Sequence, residues 1–149
     1  MLMTYSVKKQ KRQKERKLEG KLAQLIAQRK LTISKKEQLR NRLIVVDATE
    51  RALVHLWFEN DDATYELIHL DAVKKCEIIR LSNRITEKSA KGKSQVHEHV
   101  TAIQLQLATD KNTFTIPFYN EVDDGLLEMQ ELNKRAEEWR DNINVLRNN

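Results

Sequence analysis

Eight cationic side chains crowd into one short stretch near the start of the chain, and cations at that density bind polyanions. Beside an anionic bilayer leaflet, each Lys or Arg gains on the order of 1 kcal/mol. The same charges would bind DNA or RNA phosphates with a strong salt dependence. The stretch contains no aromatic residue that could stack on bases. Three interpretations follow: contact with an anionic membrane surface, non-specific nucleic-acid binding, or a solvated arm. The eight residues are Lys8, Lys9, Lys11, Arg12, Lys14, Arg16, Lys17 and Lys21.

The charge of the whole chain is divided unevenly. Residues 1–42 hold 14 Lys and Arg against 3 Asp and Glu, a net charge of +11, whereas residues 43–120 carry −2 and residues 121–149 carry −4. All of the basicity therefore belongs to the first part of the chain. An imbalance this local predicts a basic arm for a polyanion and not a uniformly basic globule.

Histidines provide the nearest approach to a metal site. His97 and His99 are two residues apart, so on a strand both imidazoles would share a face. Zinc needs three or four ligands, and the sequence places no Cys or carboxylate to complete the set. His55 and His69 lie on neighbouring predicted strands without a supporting spacing. We interpret all four as polar strand residues and predict neither a metal nor a cofactor.

Two further polar motifs lack the context that their chemistry needs. Residues 91–94 have the sequence KGKS, but the glycine that a phosphate-binding loop requires five residues before Gly92 is replaced by Glu87. Glu59, Asp61 and Asp62 are interpreted as a solvated hairpin tip, because no calcium-loop spacing follows them. No nucleophile or metal-hydrolase signature is present, so no catalytic residue is predicted.

Length and composition are those of one ordinary domain, since 149 residues with 40% hydrophobic content can bury a core. The single Cys76 excludes a disulfide framework within one chain, and its apolar surroundings predict a buried thiol. No window is long and apolar enough for a transmembrane helix. Tyr5 and the cations after it nevertheless have the pattern of the cytoplasmic exit of such a helix. One hypothesis is that a membrane anchor precedes Leu2 in the parent protein; the alternative is a native, disordered basic tail.

The N-terminal region is predicted to be helical, because residues 8–30 are good helix formers almost throughout. Residues 8–17 contain no apolar side chain and predict a solvated or disordered start. Leu18, Leu22, Leu25 and Ile26 then form a narrow apolar stripe at helical spacing. A capping box of Ser34 and Glu37 predicts a short helix to about residue 40.

Antiparallel strands are predicted to follow, beginning with a β-hairpin in residues 42–58, where two β-branched and aromatic runs flank a polar break. Residues 82–95 are polar and contain Gly92, which predicts a mobile loop. Pro117 cannot donate to a strand ladder and marks a strand end or an edge. The six predicted strands span about residues 42–46, 51–58, 65–70, 75–81, 98–108 and 113–118.

A long amphipathic helix is predicted to close the fold. From about residue 123 the apolar period becomes helical, and the stripe has Trp139 at its centre. A helix of about 23 residues is roughly 35 Å long, enough to cover a sheet. The stripe consists of Met129, Leu132, Ala136, Trp139, Ile143 and Leu146.

This order of elements resembles the pleckstrin-homology-like (PH-like) fold. The capped helix and the strand Ile44-Val45-Val46-Asp47, which ends in a turn, are also similar to uncharacterised bacterial membrane-anchored proteins with a PH-like domain. The resemblance covers residues 34–147. It implies an α+β fold with a bent antiparallel sheet of six to seven strands and a C-terminal helix. It also implies that a strand-connecting loop could bind phosphorylated head groups, here through Arg84, Lys88, Lys91 and Lys93.

The predicted organisation is a basic helical lead-in, residues 1–33, followed by a PH-like domain, residues 34–149. The predicted function is a non-enzymatic binding or scaffolding module at the cytoplasmic face of a bacterial membrane, or in the cytoplasm if no anchor exists. Two partners are expected, an anionic lipid surface and an unidentified protein. The alternatives are a non-specific nucleic-acid-binding protein that uses the basic helix, and a small enzyme with an unrecognised site.

Overall fold

The computed structural model describes residues 2–88 and 94–148, and the side chains of residues 9–83 and 99–148. The chain forms two compact units, Met1–Asp71 and Ala72–Asn149. Each unit combines one antiparallel sheet with one helix. The predicted division into a lead-in, residues 1–33, and a domain, residues 34–149, stays a prediction.

The first unit contains a four-stranded antiparallel sheet. Its strands are β1 (Lys35–Leu39), β2 (Arg42–Asp47), β3 (Ala52–Glu59) and β4 (Asp62–His69), and they lie side by side in chain order. β2 and β3 form the predicted hairpin, with Leu43 opposite Leu56. Asn60 and Asp61, both with φ above 50°, make the two-residue turn into β4. Such positive φ values belong to the turns whose twist matches that of a hairpin.

The first helix, α1 (Leu2–Arg29), begins earlier than the sequence indicated. Residues 8–17 are helical, not disordered, because Lys, Arg, Gln and Glu are good helix formers even without an apolar partner. The helix ends where Lys30 adopts a left-handed φ of 55° and Leu31 N donates to Ile26 O at 3.2 Å. This is a Schellman termination, and Leu31 and Ile26 belong to the same hydrophobic cluster.

α1 covers one face of the four-stranded sheet through the predicted stripe. Leu18, Leu22 and Leu25 are almost fully buried. They pack in one cluster with alternate residues of the central strands, which share a face because side chains alternate along a strand. The strand residues of this cluster are Leu43, Val45, Val54 and Leu56.

Hydrogen bonds made by Ser34 and Asp47 hold the segment that joins α1 to the sheet. The predicted short helix over residues 34–40 is wrong, because β1 occupies residues 35–39 and pairs with β2. Ser34 caps no helix; its N–H donates to Val46 O, and its Oγ accepts from Ala48 N. Asp47 Oδ2 accepts from Thr32 N at 2.8 Å, and its Oδ1 accepts from Thr49 N and Glu50 N of the hairpin turn. One carboxylate therefore holds both the linker and the turn.

The second unit contains a three-stranded antiparallel sheet in the order β5 (Lys75–Lys88), β6 (Ser94–Ala108) and β7 (Thr113–Asn120). A single 3₁₀ turn, Leu70–Ala72, precedes β5. The predicted mobile loop over residues 82–95 is wrong for its described part. Ser82 to Lys88 pair with Val100 to Ser94, since backbone ladders form regardless of side-chain polarity. Pro117 lies beside a register shift in β7, an edge strand, as its missing N–H predicts.

The C-terminal helix, α2 (Leu126–Asn148), packs on this second sheet. Its fully buried side chains, Ala136, Trp139 and Ile143, belong to the predicted stripe. They lie on the side of the helix that contacts all three strands. Arg80 of β5 donates to Asn133 and pairs with Glu137 at 3.2 Å across the same contact. The core residues of the sheet include Ile103, Leu105, Leu107, Ile116 and Phe118.

The α+β class, the antiparallel pairing, the N-terminal basic helix and the C-terminal helix are confirmed. The strands do not form one sheet but two, of four and three strands. Seven strands are present among the described residues, because β1 occupies the place of the predicted capped helix.

Candidate functional site

The candidate site is the exposed face of α1, where six of the eight predicted cations fall into two sets of three. At 100° per residue, Lys9, Arg12 and Arg16 fall within about 60° of one another, on the side away from the buried leucines. All three are exposed, as is Lys11. Among the described side chains, none makes an ion pair or a hydrogen bond with these four. We call Lys9, Arg12 and Arg16 the outer face of α1.

The second set of cations points towards the sheet of the same unit. Lys14 Nζ lies 5.9 Å from the ring centroid of Phe58, and Lys21 Nζ lies 5.5 Å from that of Tyr65. Both distances are within the range of cation–π attraction. Lys17 Nζ donates to the backbone oxygen of Asp61 at 3.4 Å. These three ammonium groups already have partners within the unit. The side chain of Lys8 lies outside the described residues.

A shallow groove follows the seam between α1 and the β3–β4 turn. It has a volume of ≈ 350 Å³, and its lining includes Lys17, Lys21, Asp61, Asp62 and the bare backbone of Gly20. Two lysines and two aspartates leave the groove close to neutral. The acidic hairpin tip therefore lies beside the cations of the seam.

The side chains of the predicted loop anion site lie outside the described part of the structure. Arg84 and Lys88 lie on β5, inside the ladder with β6, and their side chains are outside the description. Lys91 and Lys93 lie outside the described residues, as does the rest of the KGKS motif before Ser94. The role of these four residues stays a prediction.

The described histidines have different surroundings. His99 Nε2 lies 2.6 Å from Glu121 Oε2, whereas the side chain of His97 is outside the description. His69 is exposed and pairs with Ala52. Within the described residues, no group of three or more His, Cys, Asp or Glu side chains is arranged to hold a metal ion.

His55 belongs to a polar network that the sequence did not predict. It is only 2% exposed and lies on β3, between β2 and β4. Its ring stacks on that of Trp57, with 4.7 Å between the two ring centroids. Arg42 Nη1 lies 3.1 Å from Nε2, and Glu66 Oε1 lies 3.0 Å from Nδ1. Because a guanidinium can only donate, Nε2 is the acceptor and the Nδ1 proton is shared with Glu66.

The electrostatics keep this imidazole neutral. Burial lowers the pKa of His55 and the Arg42 charge lowers it further, although the bond to Glu66 raises it in part. With Nε2 occupied by Arg42, the ring has no free lone pair for base catalysis. A two-residue turn at Asn60 and Asp61 places His55 opposite Glu66. Recognition of that turn in the sequence would have revealed the pair.

Cys76 is buried, as its apolar surroundings predicted. Burial raises the pKa of the thiol to about 12, even though Arg147 and Arg140 act in the opposite direction. A thiol that stays protonated is a poor nucleophile and a poor metal ligand.

Comparisons with protein-family models, with curated proteins and with solved structures find no match to this chain. Neither helix in the described part of the chain contains a stretch that is long and apolar enough to span a bilayer.

Proposed function

We propose that this chain is a non-enzymatic binding or scaffolding module that contacts an anionic membrane surface through the outer face of α1. The module would have a PH-like fold and would act on the cytoplasmic side of a bacterial membrane. The observation that carries the proposal is that Lys9, Arg12 and Arg16 are exposed, unpaired among the described side chains and aligned on one helix face.

The physical argument rests on the two sides of α1. The buried leucines hold the helix on its own sheet, so its orientation is determined before any ligand binds. A surface that is already ordered loses little conformational entropy on binding. Each aligned cation gains on the order of 1 kcal/mol beside an anionic leaflet, so three of them would change the affinity by about 100-fold.

Sedimentation with vesicles tests the proposal. The probe is a vesicle of phosphatidylcholine with about 30 mol% phosphatidylglycerol, compared with phosphatidylcholine alone. The triple variant K9Q/R12Q/R16Q should lose most of its binding to the anionic vesicles. Because added salt shortens the Debye length, wild-type binding should also weaken when the salt concentration rises from about 0.05 M to about 0.15 M.

The matched control is K14Q/K17Q/K21Q, which removes the same charge from the side of α1 that faces the sheet. It should retain affinity within about fivefold, because these ammonium groups already interact within the unit. Equal losses in the two triple variants would show that only net charge matters and would contradict an oriented outer face. Tighter binding to duplex DNA than to anionic vesicles, at about 50 mM salt, would favour the nucleic-acid alternative.

A further inference from the structure

The corner between β7 and α2 exposes an apolar cluster. Val122 is 86% exposed, Leu126 64% and Leu127 98%, and all three lie within six consecutive residues. The other large apolar side chains exposed in the described chain, Leu81 and Val145, lie elsewhere in the sequence. Single exposed apolar residues are ordinary, but a concentration of three at one corner is typical of an interaction surface.

Hydrogen bonds order this corner without burying its apolar side chains. Asn120 O accepts from Asp123 N at 3.1 Å and from Asp124 N at 2.8 Å, while Asp124 Oδ2 accepts from Asn120 N. Asn120 Oδ1 accepts from Val122 N at 2.9 Å. These hydrogen bonds therefore fix the backbone that carries Val122. A preorganised surface loses less conformational entropy when it binds a partner.

Carboxylates flank the three apolar residues in the sequence. Glu121, Asp123, Asp124 and Glu128 lie between or beside them, and residues 121–149 carry a net charge of −4. Glu121 Oε2 lies 2.6 Å from His99 Nε2 and Asp124 Oδ2 accepts from Asn120 N, whereas Asp123 and Glu128 are exposed. Two exposed carboxylates already exceed the partial charge of about +0.5 at a helix N-terminus. Apolar anchors flanked by negative charge complement a ligand that is apolar and basic at once.

We propose that the corner formed by Val122, Leu126, Leu127 and the neighbouring carboxylates is a docking surface for a basic amphipathic helix of a partner protein. This goes beyond the membrane contact proposed for α1 and involves different residues. A second copy of the chain does not meet the requirement. Among described side chains, the apolar stripe of its own basic helix, Leu18, Leu22 and Leu25, is already buried.

Fluorescence anisotropy tests the docking surface in the full chain. The probe is a labelled helical peptide of about 18 residues with a leucine face and a lysine face, since shorter helices are marginal in water. The variant V122S/L126S/L127S should weaken its binding at least about tenfold, because it removes the apolar anchors. D123N/E128Q should weaken it about three- to tenfold and reduce its salt dependence.

The matched control is V145S, which alters another exposed apolar residue of the same helix, 61% exposed, and should bind within about twofold of wild type. Equal binding of a peptide with glutamate in place of lysine would overturn the proposal, as would unchanged binding by the triple serine variant. Concentration-dependent dimers of the wild type that the triple serine variant abolishes would assign the surface to a second copy instead. Loss of anionic-vesicle binding in that variant would assign it to the membrane.

Discussion

The two helices of this chain each pack an apolar stripe on a sheet, but the side chains that they expose to solvent carry opposite net charge. α1 buries Leu18, Leu22 and Leu25 on a four-stranded sheet; α2 buries Ala136, Trp139 and Ile143 on a three-stranded sheet. Each set of three is spaced by three and four residues, which places it on one helix face. Beyond those stripes, α1 exposes Lys9, Arg12 and Arg16, which have no ion-pair partner among the described side chains, whereas the N-terminal corner of α2 exposes apolar side chains and carboxylates.

This comparison shows that different residues of each helix pack on the sheet and face solvent. The buried stripe of each helix stabilises the fold, and the chemistry of the exposed side chains differs between the two helices. The basic face of α1 matches an anionic surface, and the corner of α2 matches a basic one. Under the two proposals made above, one unit would contact a membrane and the other would bind a protein, which is the arrangement that a scaffolding module requires.

The largest expected effect concerns the buried stripe of α2. Replacement of Trp139 with Ala should lower the free energy of unfolding by about 3–5 kcal/mol, because the side chain is fully buried and its loss leaves a cavity. Urea unfolding followed by far-UV circular dichroism measures the change. Leu127→Ala, on the same helix but 98% exposed, is the control and should stay within about 0.5 kcal/mol. Similar losses in the two variants would mean that the stripe does not anchor the helix.

An intermediate effect is expected where α1 is joined to its sheet. Asp47→Asn should destabilise the protein by about 1–3 kcal/mol at pH 7, since one carboxylate oxygen that accepts a backbone N–H becomes an amide donor. Burial acts to raise the pKa of Asp47, but the bonds from Glu50, Thr32 and Thr49 lower it on balance. The stabilisation is therefore complete above the unfolded pKa of about 3.9 and is lost as the pH falls through the folded value.

Urea midpoints of wild type and the Asp47→Asn variant between about pH 2 and pH 7 check this expectation. The two curves should converge at the acid end, where the wild-type carboxyl group is protonated as well. Asp110→Asn, at an exposed turn residue, is the control and should have a urea midpoint close to that of the wild type at about pH 7. A constant difference between wild type and Asp47→Asn at every pH would show that the carboxylate charge is not responsible.

The smallest expected effect lies within α1 itself. Gly20→Ala should stabilise the protein by about 0.5–1 kcal/mol, because alanine restricts the unfolded chain more than glycine does. A Cβ at position 20 would meet no atom within 4 Å, so no clash opposes the gain. The urea midpoint should rise, and sedimentation with anionic vesicles should be unchanged, since the outer face is untouched. A lower midpoint would indicate that the groove beside Gly20 needs the bare backbone.

Much of the fold could be predicted from local pattern. The hairpin over residues 42–58, the alternation of Ile103, Leu105 and Leu107, and the apolar stripes of both helices were recognisable, because each depends on side-chain period alone. Within the predicted stripe of α2, Ala136, Trp139 and Ile143 are buried, whereas Met129, Leu132 and Leu146 are partly buried. Periodicity identifies a helix face without showing how deeply each residue on it is buried.

The errors have a common physical origin. The sequence predicts a capped helix where β1 lies and a loop where the ends of β5 and β6 pair, because both segments are polar. Strands of this kind are stabilised by backbone bonds to a neighbour that is distant in sequence, and no local propensity reports that neighbour. Local propensity does not predict the hydrogen bond between His55 and Glu66 either, because that bond depends on the strand register set by the turn at Asn60 and Asp61.

The sequence by itself determined the charge division, the helical nature of the basic region and the residues that form each buried stripe, because composition and period are properties of the chain alone. Only the tertiary structure decided which cations are available. Lys14, Lys17 and Lys21 interact with Phe58, Asp61 and Tyr65 of β3, its turn and β4, while Lys9, Arg12 and Arg16 lie on the other side. Sequence spacing cannot make that distinction, because it depends on which side of the helix the sheet lies against.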